Sequence, residues 1–223
     1  MNTIYFISGL GADWRMFRSL HLPPELPYKH VQWIAPASID EPIQEYVQRL
    51  KSQIEDPHPI LVGLSFGGVV ATELAKILKP RKLVIIASLA TSKALPWHYR
   101  LLGSLHLHRY LPLKLMQSMV PLAPWFFGAH TPEAKKLLRE IILEIDEKFL
   151  RWSMGQLLAW RQPIPFPGVI HIHGTKDKVL PFRKWPNVIS IKNGEHLIVL
   201  HQAEEVSAIL SQLITAPAYE PQK

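Results

Sequence analysis

One serine, one aspartate and one histidine, in three loops far apart in the chain, are the side chains that could do chemistry together. Residues 59–68 read Pro-Ile-Leu-Val-Gly-Leu-Ser-Phe-Gly-Gly. The apolar run Ile60-Leu61-Val62 stops at Gly63, Ser65 follows, and Gly67-Gly68 lead into a helix-like segment ending at Leu78. Strand, tight turn, helix is the setting in which G-x-S-x-G carries a nucleophile. The sharp turn pushes the hydroxyl out of the sheet edge and leaves its backbone N–H at a helix N-terminus. Three fixed glycine and serine positions match by chance in roughly one chain in twenty of this length, so the flanking strand and helix carry the reading.

A serine hydroxyl needs a base to take its proton, and the base needs a third group to hold its tautomer. Both are expected at the ends of later strands. The loop after Val169-Ile170-His171-Ile172-His173 runs Gly174-Thr175-Lys176-Asp177-Lys178-Val179-Leu180-Pro181 and holds one carboxylate, Asp177. The loop after the next strand contains Asn193-Gly194-Glu195-His196, with His196 just before a helix-like segment. Among 11 histidines a free match is easy; the order and loop positions of the set carry the weight. Glu195 is the rival acid, but its neighbouring position directs its side chain away from the same imidazole. The charge of a tetrahedral intermediate calls for two N–H donors. Backbone N–H groups of Phe66 and of Leu10, in Ser8-Gly9-Leu10-Gly11, fit that need.

The elements that must position these groups are legible as short apolar runs. Strands are expected at Ile4–Ile7, Val31–Ile34, Ile60–Val62, Lys82–Ala87, Val169–His173 and Asn187–Ile191. Helical segments are expected at Trp14–Leu20, after Pro42 with Ser38 or Asp40 as cap, at Gly67–Leu78, and from Ala203 to Leu213, with a frayed tail beyond. Uniformly apolar strands alternating with helices predict an α/β fold: three layers, a mostly parallel sheet of about six strands, helices on both faces. Strand C-termini then share one rim, where ligands of such sheets bind. Residues 91–165 break the alternation and predict an inserted helical lid, with 1–90 and 166–223 forming the core. In it Thr131-Pro132 opens one helix and Asp146 another that runs to Trp160. Trp97, Trp125 and Trp160 of the lid, with Trp14 after the first loop, are the candidate walls of a substrate cleft, against core packing as the plainer role. His106, His108, Lys114, Lys135, Lys136 and Arg139 are expected on solvated faces.

The chain has 223 residues, 48% hydrophobic and 19% charged, enough for one packed domain. Its net charge of +7 comes from scattered Lys and Arg without a basic run, so no nucleic-acid partner is expected. Absence of cysteine excludes disulfides and thiolate chemistry. No apolar run reaches the length of a membrane span, and the N-terminus lacks a basic leader, so a cytoplasmic location is expected. His171 and His173 share one face of a strand, but without a third ligand they do not predict a metal. No cofactor is expected; the partner is a small-molecule acyl substrate.

Together these residues resemble the α/β-hydrolase family over nearly the whole chain. The matching parts are an oxyanion loop Ser8–Ala12, an elbow Gly63–Gly67, an acid loop His173–Pro181 and a histidine loop Gly194–His196. The family's first loop usually begins His-Gly, and here Ser8 takes the histidine's place. The family's first two strands are also missing. The resemblance implies ester, thioester or amide hydrolysis through an acyl-enzyme, with Ser65, Asp177 and His196 as triad. A nucleophilic serine argues against the dehalogenase and epoxide-hydrolase branches, which use aspartate. A non-catalytic ligand-binding relative, or a lyase or C–C bond hydrolase, would keep the same residues, and sequence leaves these alternatives open.

Overall fold

Continuous apolar strands must bury both faces, and in the computed structural model they do. It describes residues 2–105, 118, 120–185 and 187–215. β1 (Ile4–Ile7), β2 (Tyr28–Val31), β3 (Ile60–Leu64), β4 (Lys82–Ile86), β5 (Ile170–Gly174) and β6 (Val188–Ile191) form one sheet in the order β2-β1-β3-β4-β5-β6. Every neighbouring pair is parallel. Side chains alternate across the pleat, so each run splits between two cores. Ile4, Phe6, Ile60, Val62, Val84, Ile86 and Ile172 face one layer, which includes Met16, Phe17 and the apolar side of α8 (Ala203–Thr215). Tyr5, Ile7, Leu61, Leu83 and Ile85 face the other, built from α1 (Ile43–Leu50), α2 (Phe66–Leu78) and α6 (Glu147–Ala159).

Between β4 and β5 the chain inserts α3 (Trp97–Ser104), α4 (Ala123–Phe127), α5 (Pro132–Glu144) and α6. The Thr131 hydroxyl accepts from Ala134 N at 3.2 Å, and Asp146 accepts from Phe149 N at 2.8 Å, so both expected caps form. A short α7 (Ile198–His201) precedes α8. His106, His108, Lys114 and the tail from residue 216 lie outside the described residues. No helix among the described residues is long and apolar enough to cross a membrane.

Three expected elements form differently. β2 spans Tyr28–Val31 rather than Val31–Ile34, because its partner β1 ends at Ile7, opposite Val31. Beyond that point Gln32 N bonds to the Gln53 side chain and Trp33 leaves the sheet. Trp14–Leu20 is only a 3₁₀ turn, Trp14–Phe17, capped by Asp13 and closed by Leu20 N on the Phe17 carbonyl. Neither Ser38 nor Asp40 caps α1; Pro42 stands at the cap with no side-chain bond. The approach is closed instead by Glu41, which accepts from Ala37 N at 2.6 Å and from the Arg49 guanidinium at 2.8 and 2.9 Å.

The turn from β3 into α2 is possible only because three residues lack a Cβ. On Gly63 a methyl group would fall on the backbone of Gly67 and Gly68; on Gly67, on the carbonyl oxygens of Ile7 and Ser8; on Gly68, on the Ser88 side chain. The start of α2 thus lies in backbone contact with the end of β1. Gly67→Ala should therefore lower the unfolding free energy in urea by more than about 3 kcal/mol, or prevent soluble expression, since carbonyl oxygens of the sheet cannot move aside. Gly168→Ala is the matched control. Its left-handed backbone (φ +72°) faces open space, so it should cost only about 1 kcal/mol.

Candidate active site

Ser65 sits between β3 and α2 with φ 52° and ψ −122°, a backbone state that L-residues rarely adopt. The strain is held by bonds on both sides of the residue. Its N–H donates to Ile86 O at 2.9 Å, while its carbonyl accepts from Gly68 N at 2.9 Å and from Ser88 Oγ at 2.6 Å. The half-buried Ser65 side chain is turned to the rim where β3, β5 and β6 end.

Two later loops meet it there. His196 Nε2 lies 3.0 Å from Ser65 Oγ, and His196 Nδ1 lies 2.8 Å from Asp177 Oδ2. Asp177 can only accept from Nδ1–H, so the neutral ring presents its Nε2 lone pair to the serine hydroxyl. Asp177 and His196 are both buried. Asp177 Oδ1 accepts from Val179 N at 2.8 Å and Leu180 N at 2.9 Å. Burial alone would raise this carboxyl. The charge available on His196 and the hydrogen bonds from His173 and His196 outweigh it, and Asp177 is held well below the usual carboxylate range. The arrangement can accept the serine proton on His196 and stabilise the resulting imidazolium with a fixed anion.

The loop after β1 runs alongside. A methyl group on Gly9 would stand 3.5 Å from Ser65 Cβ. Ser8 Oγ donates to Ala12 O, and Trp33 Nε1 donates to both Gly9 O (3.2 Å) and Ala12 O (2.9 Å). These bonds brace the segment carrying Leu10, and Phe66 follows Ser65 at the first turn of α2. Trp33, read from sequence as a strand residue, is thus a part of the site that sequence reasoning missed. An isolated tryptophan gives no signal that its indole will reach a loop more than twenty residues earlier.

The insertion closes on the same loops. The Phe127 ring meets the His196 ring edge to face at 5.6 Å, and Leu197 N donates to Phe127 O at 3.3 Å. Glu195 faces away from the His196 imidazole; it pairs with Lys178 at 2.7 Å and with His130. Lys178 also donates to Trp125 O and lies 4.6 Å over the Trp125 ring. On the opposite side Arg15 binds Asp13 and reaches Glu144 and Glu140 of α5. Tyr99 of α3 is pushed up by burial and by the Asp177 charge.

The four candidate tryptophans do not share one setting. Trp14, Trp97 and Trp125 are exposed, whereas Trp160 is buried and donates to Glu73 of α2 at 2.7 Å. Trp160 therefore packs the insertion onto the core. Lys135, Lys136 and Arg139 stand on α5, and Lys136 pairs with Glu140 at 4.0 Å. An open groove of about 1050 Å³ between residues 19–23 and 200–211 includes none of Ser65, Asp177 or His196. Among the described residues no three His, Asp or Glu side chains are grouped to hold a metal ion.

Behind Asp177, burial and the neighbouring His173 push His171 down from its ordinary value near 6.5 to about 3. The unfolded chain takes up this proton below about pH 6.5 and the folded chain does not until about pH 3, so acidification in that window favours unfolding. At pH 5.5 the loss relative to pH 7.5 is about 1 kcal/mol from this residue. His30 and His201, both lowered by burial, act in the same direction. Asp177, also lowered, begins to lose its contribution only near its unfolded value of 3.8, below both pH values compared. Urea unfolding at pH 7.5 and 5.5 should show the decline, and His171→Gln should shrink it by about 1 kcal/mol while leaving the other histidines' share.

A family model described as the alpha/beta hydrolase family matches residues 4–209. Solved structures superpose over almost the entire chain. A thermophilic esterase from Thermogutta terrifontis is 18% identical with TM-score 0.67, over 96% of this chain and 89% of its own. An epoxide hydrolase from Bacillus megaterium is 11% identical with TM-score 0.72, over 97% and 94%. An enol-lactonase from Burkholderia xenovorans is 13% identical with TM-score 0.70, over 96% and 92%. At these identities the likeness speaks for the fold. No curated protein sequence gives a match. With a family model spanning β1 to α8 over a parallel sheet of matching architecture, the chain belongs to the alpha/beta hydrolase family.

Proposed function

We propose that the protein is a serine hydrolase of carboxylic esters or thioesters, with amides as a slower class, working through an acyl-enzyme. The observation that carries this reading is the unbroken contact from Ser65 Oγ through His196 to Asp177, at 3.0 and 2.8 Å. His196 takes the Ser65 proton as the hydroxyl attacks the substrate carbonyl. The Leu10 and Phe66 N–H groups receive the oxyanion, and Asp177 steadies the imidazolium. His196 then protonates the leaving alcohol or thiol. Water enters, gives its proton to His196 and releases the acid from Ser65. The inserted helices act as the lid over this cleft, with the exposed Trp97 and Trp125 rings proposed as contacts for an apolar acyl group. No cofactor takes part.

Esterase and enol-lactonase names among the structural neighbours agree with acyl chemistry. A fluorophosphonate probe should form a covalent adduct on Ser65, located by peptide mass. Hydrolysis of p-nitrophenyl esters and acyl thioesters of graded chain length should give the acyl preference. Ser65→Ala should lose both labelling and turnover, by on the order of 10⁴-fold or more, with folding unchanged. Folded protein that is neither labelled nor active on any acyl donor would sink the proposal and leave a ligand-binding or lyase role.

A further inference from the structure

We propose that His173 is a positioning residue for the acid: it holds the Asp177 carboxylate in the one orientation that serves His196, and His171 fixes the tautomer in which it does so. This rests on the serine-hydrolase reading and adds two buried side chains to it.

For two neutral rings, hydrogen-bond chemistry leaves one proton pattern. His173 Nε2 lies 2.7 Å from Leu180 O, which can only accept, so Nε2 carries the proton. The same nitrogen stands 3.3 Å from Asp177 Oδ2, so the N–H bonded to Leu180 O also lies against the carboxylate. His173 Nδ1 lies 2.8 Å from His171 Nε2. Two ring nitrogens at that distance hold one proton between them. With Nε2 of His173 already protonated, a neutral His173 ring accepts at Nδ1 and His171 Nε2–H donates, whereas an imidazolium at His173 would reverse the bond. His171 and His173 are both buried, and burial keeps His171 neutral. The direction therefore runs His171 to His173 to Asp177.

The placement gives this chain a purpose. His171 and His173 lie on β5, registered against Val188 and Ser190 of β6, so both rings stand on the rigid sheet rather than on the acid loop. Leu180 donates its N–H to Asp177 Oδ1 and offers its carbonyl to His173. His173 thus ties the far end of the acid loop back to the strand from which it departs. Oδ2 faces two imidazole N–H groups, bonded by His196 at 2.8 Å and approached by His173 at 3.3 Å. The second donor lowers the basicity of that oxygen, keeping the proton on His196 Nδ1, and it removes the carboxylate's freedom to rotate. Ring misplacement by about 1 Å at such a site is worth about 100-fold in rate.

The test uses the full chain with ¹⁵N-labelled histidine. In the unaltered protein, long-range ¹H–¹⁵N spectra should show both His171 and His173 protonated at Nε2 and bare at Nδ1; an Nδ1–H form of His173 overturns the proposal. His173→Phe removes the donor and keeps an aromatic ring. It should lower kcat on the best acyl donor about 10- to 100-fold with KM within about twofold, and shift the downfield His196 Nδ1–H resonance. His173→Gln, whose amide reaches as Nε2 does, should recover most of kcat. If the Phe variant turns over as the unaltered protein does, with that resonance in place, His173 merely packs and the proposal falls. If kcat drops only in proportion to the unfolded fraction, it falls as well. The hydrolase reading fails separately, through unaltered protein with no Ser65-dependent turnover; the tautomer spectra still decide the proton pattern behind Asp177.

Discussion

A carboxylate taken out of water must have its lone pairs met, and Asp177 sets that demand at the centre of this molecule. Its two oxygens accept from Val179, Leu180 and His196, and His173 Nε2 stands 3.3 Å from Oδ2. Two of these are backbone groups of its own loop, so meeting them fixes the loop's path. The other two are imidazoles from β5 and from the loop after β6. One buried charge therefore locks two neighbouring strand ends to each other. The geometry at Ser65 follows, because the His196 ring has no freedom left except to aim Nε2 at the elbow.

The elbow answers from the other side of the sheet centre. There the decisive contacts are between backbones, with Gly67 against Ile7 and Ser8 and Gly63 against Gly68. Side-chain exchange elsewhere cannot loosen such contacts, whereas any Cβ at these positions would. The strained Ser65 backbone is tolerated because the sheet and Ser88 hold both of its peptide groups. The hydroxyl and the imidazole are thus placed by independent constraints that converge.

Much of this was legible in the sequence because the informative residues act locally. Gly63, Ser65 and Gly67 specify a turn by their own backbone needs, and apolar runs such as Leu83–Ile86 specify a buried parallel strand. Asp177 and His196 were legible through their loops at strand ends. What stayed hidden depends on partners remote in sequence. The β2 boundary is set by where β1 stops, and the bridge from Trp33 to Gly9 and Ala12 by the path of a separate loop. Trp160 fits either a cleft wall or core packing by sequence, because an aromatic in a helical insertion gives no sign of which side faces the core; its burial and its bond to Glu73 set it against α2. The pairing of Glu195 with Lys178 and His130 likewise joins three segments that only tertiary structure brings together.

Serine at position 8, where the family's loop usually has histidine, shows how a small loop keeps its shape by other means. The hydroxyl is short, so it can reach only the nearby Ala12 carbonyl, and it donates there. That carbonyl also accepts from Trp33, whose indole takes the Gly9 carbonyl as well. Both carbonyls are drawn into these bonds, which fixes the peptide plane between Gly9 and Leu10 and the one after Ala12. Gly11, in the left-handed region at φ +64°, completes the bend, and Ile145 from the junction of α5 and α6 sits against it, where any Cβ would be. The insertion thus packs against the loop after β1 in addition to its contacts with Glu195 and His196. A single inserted segment touches the loops after β1, β5 and β6. The shape of the space around Ser65 therefore depends on where the insertion lies, because these contacts tie it to all three loops.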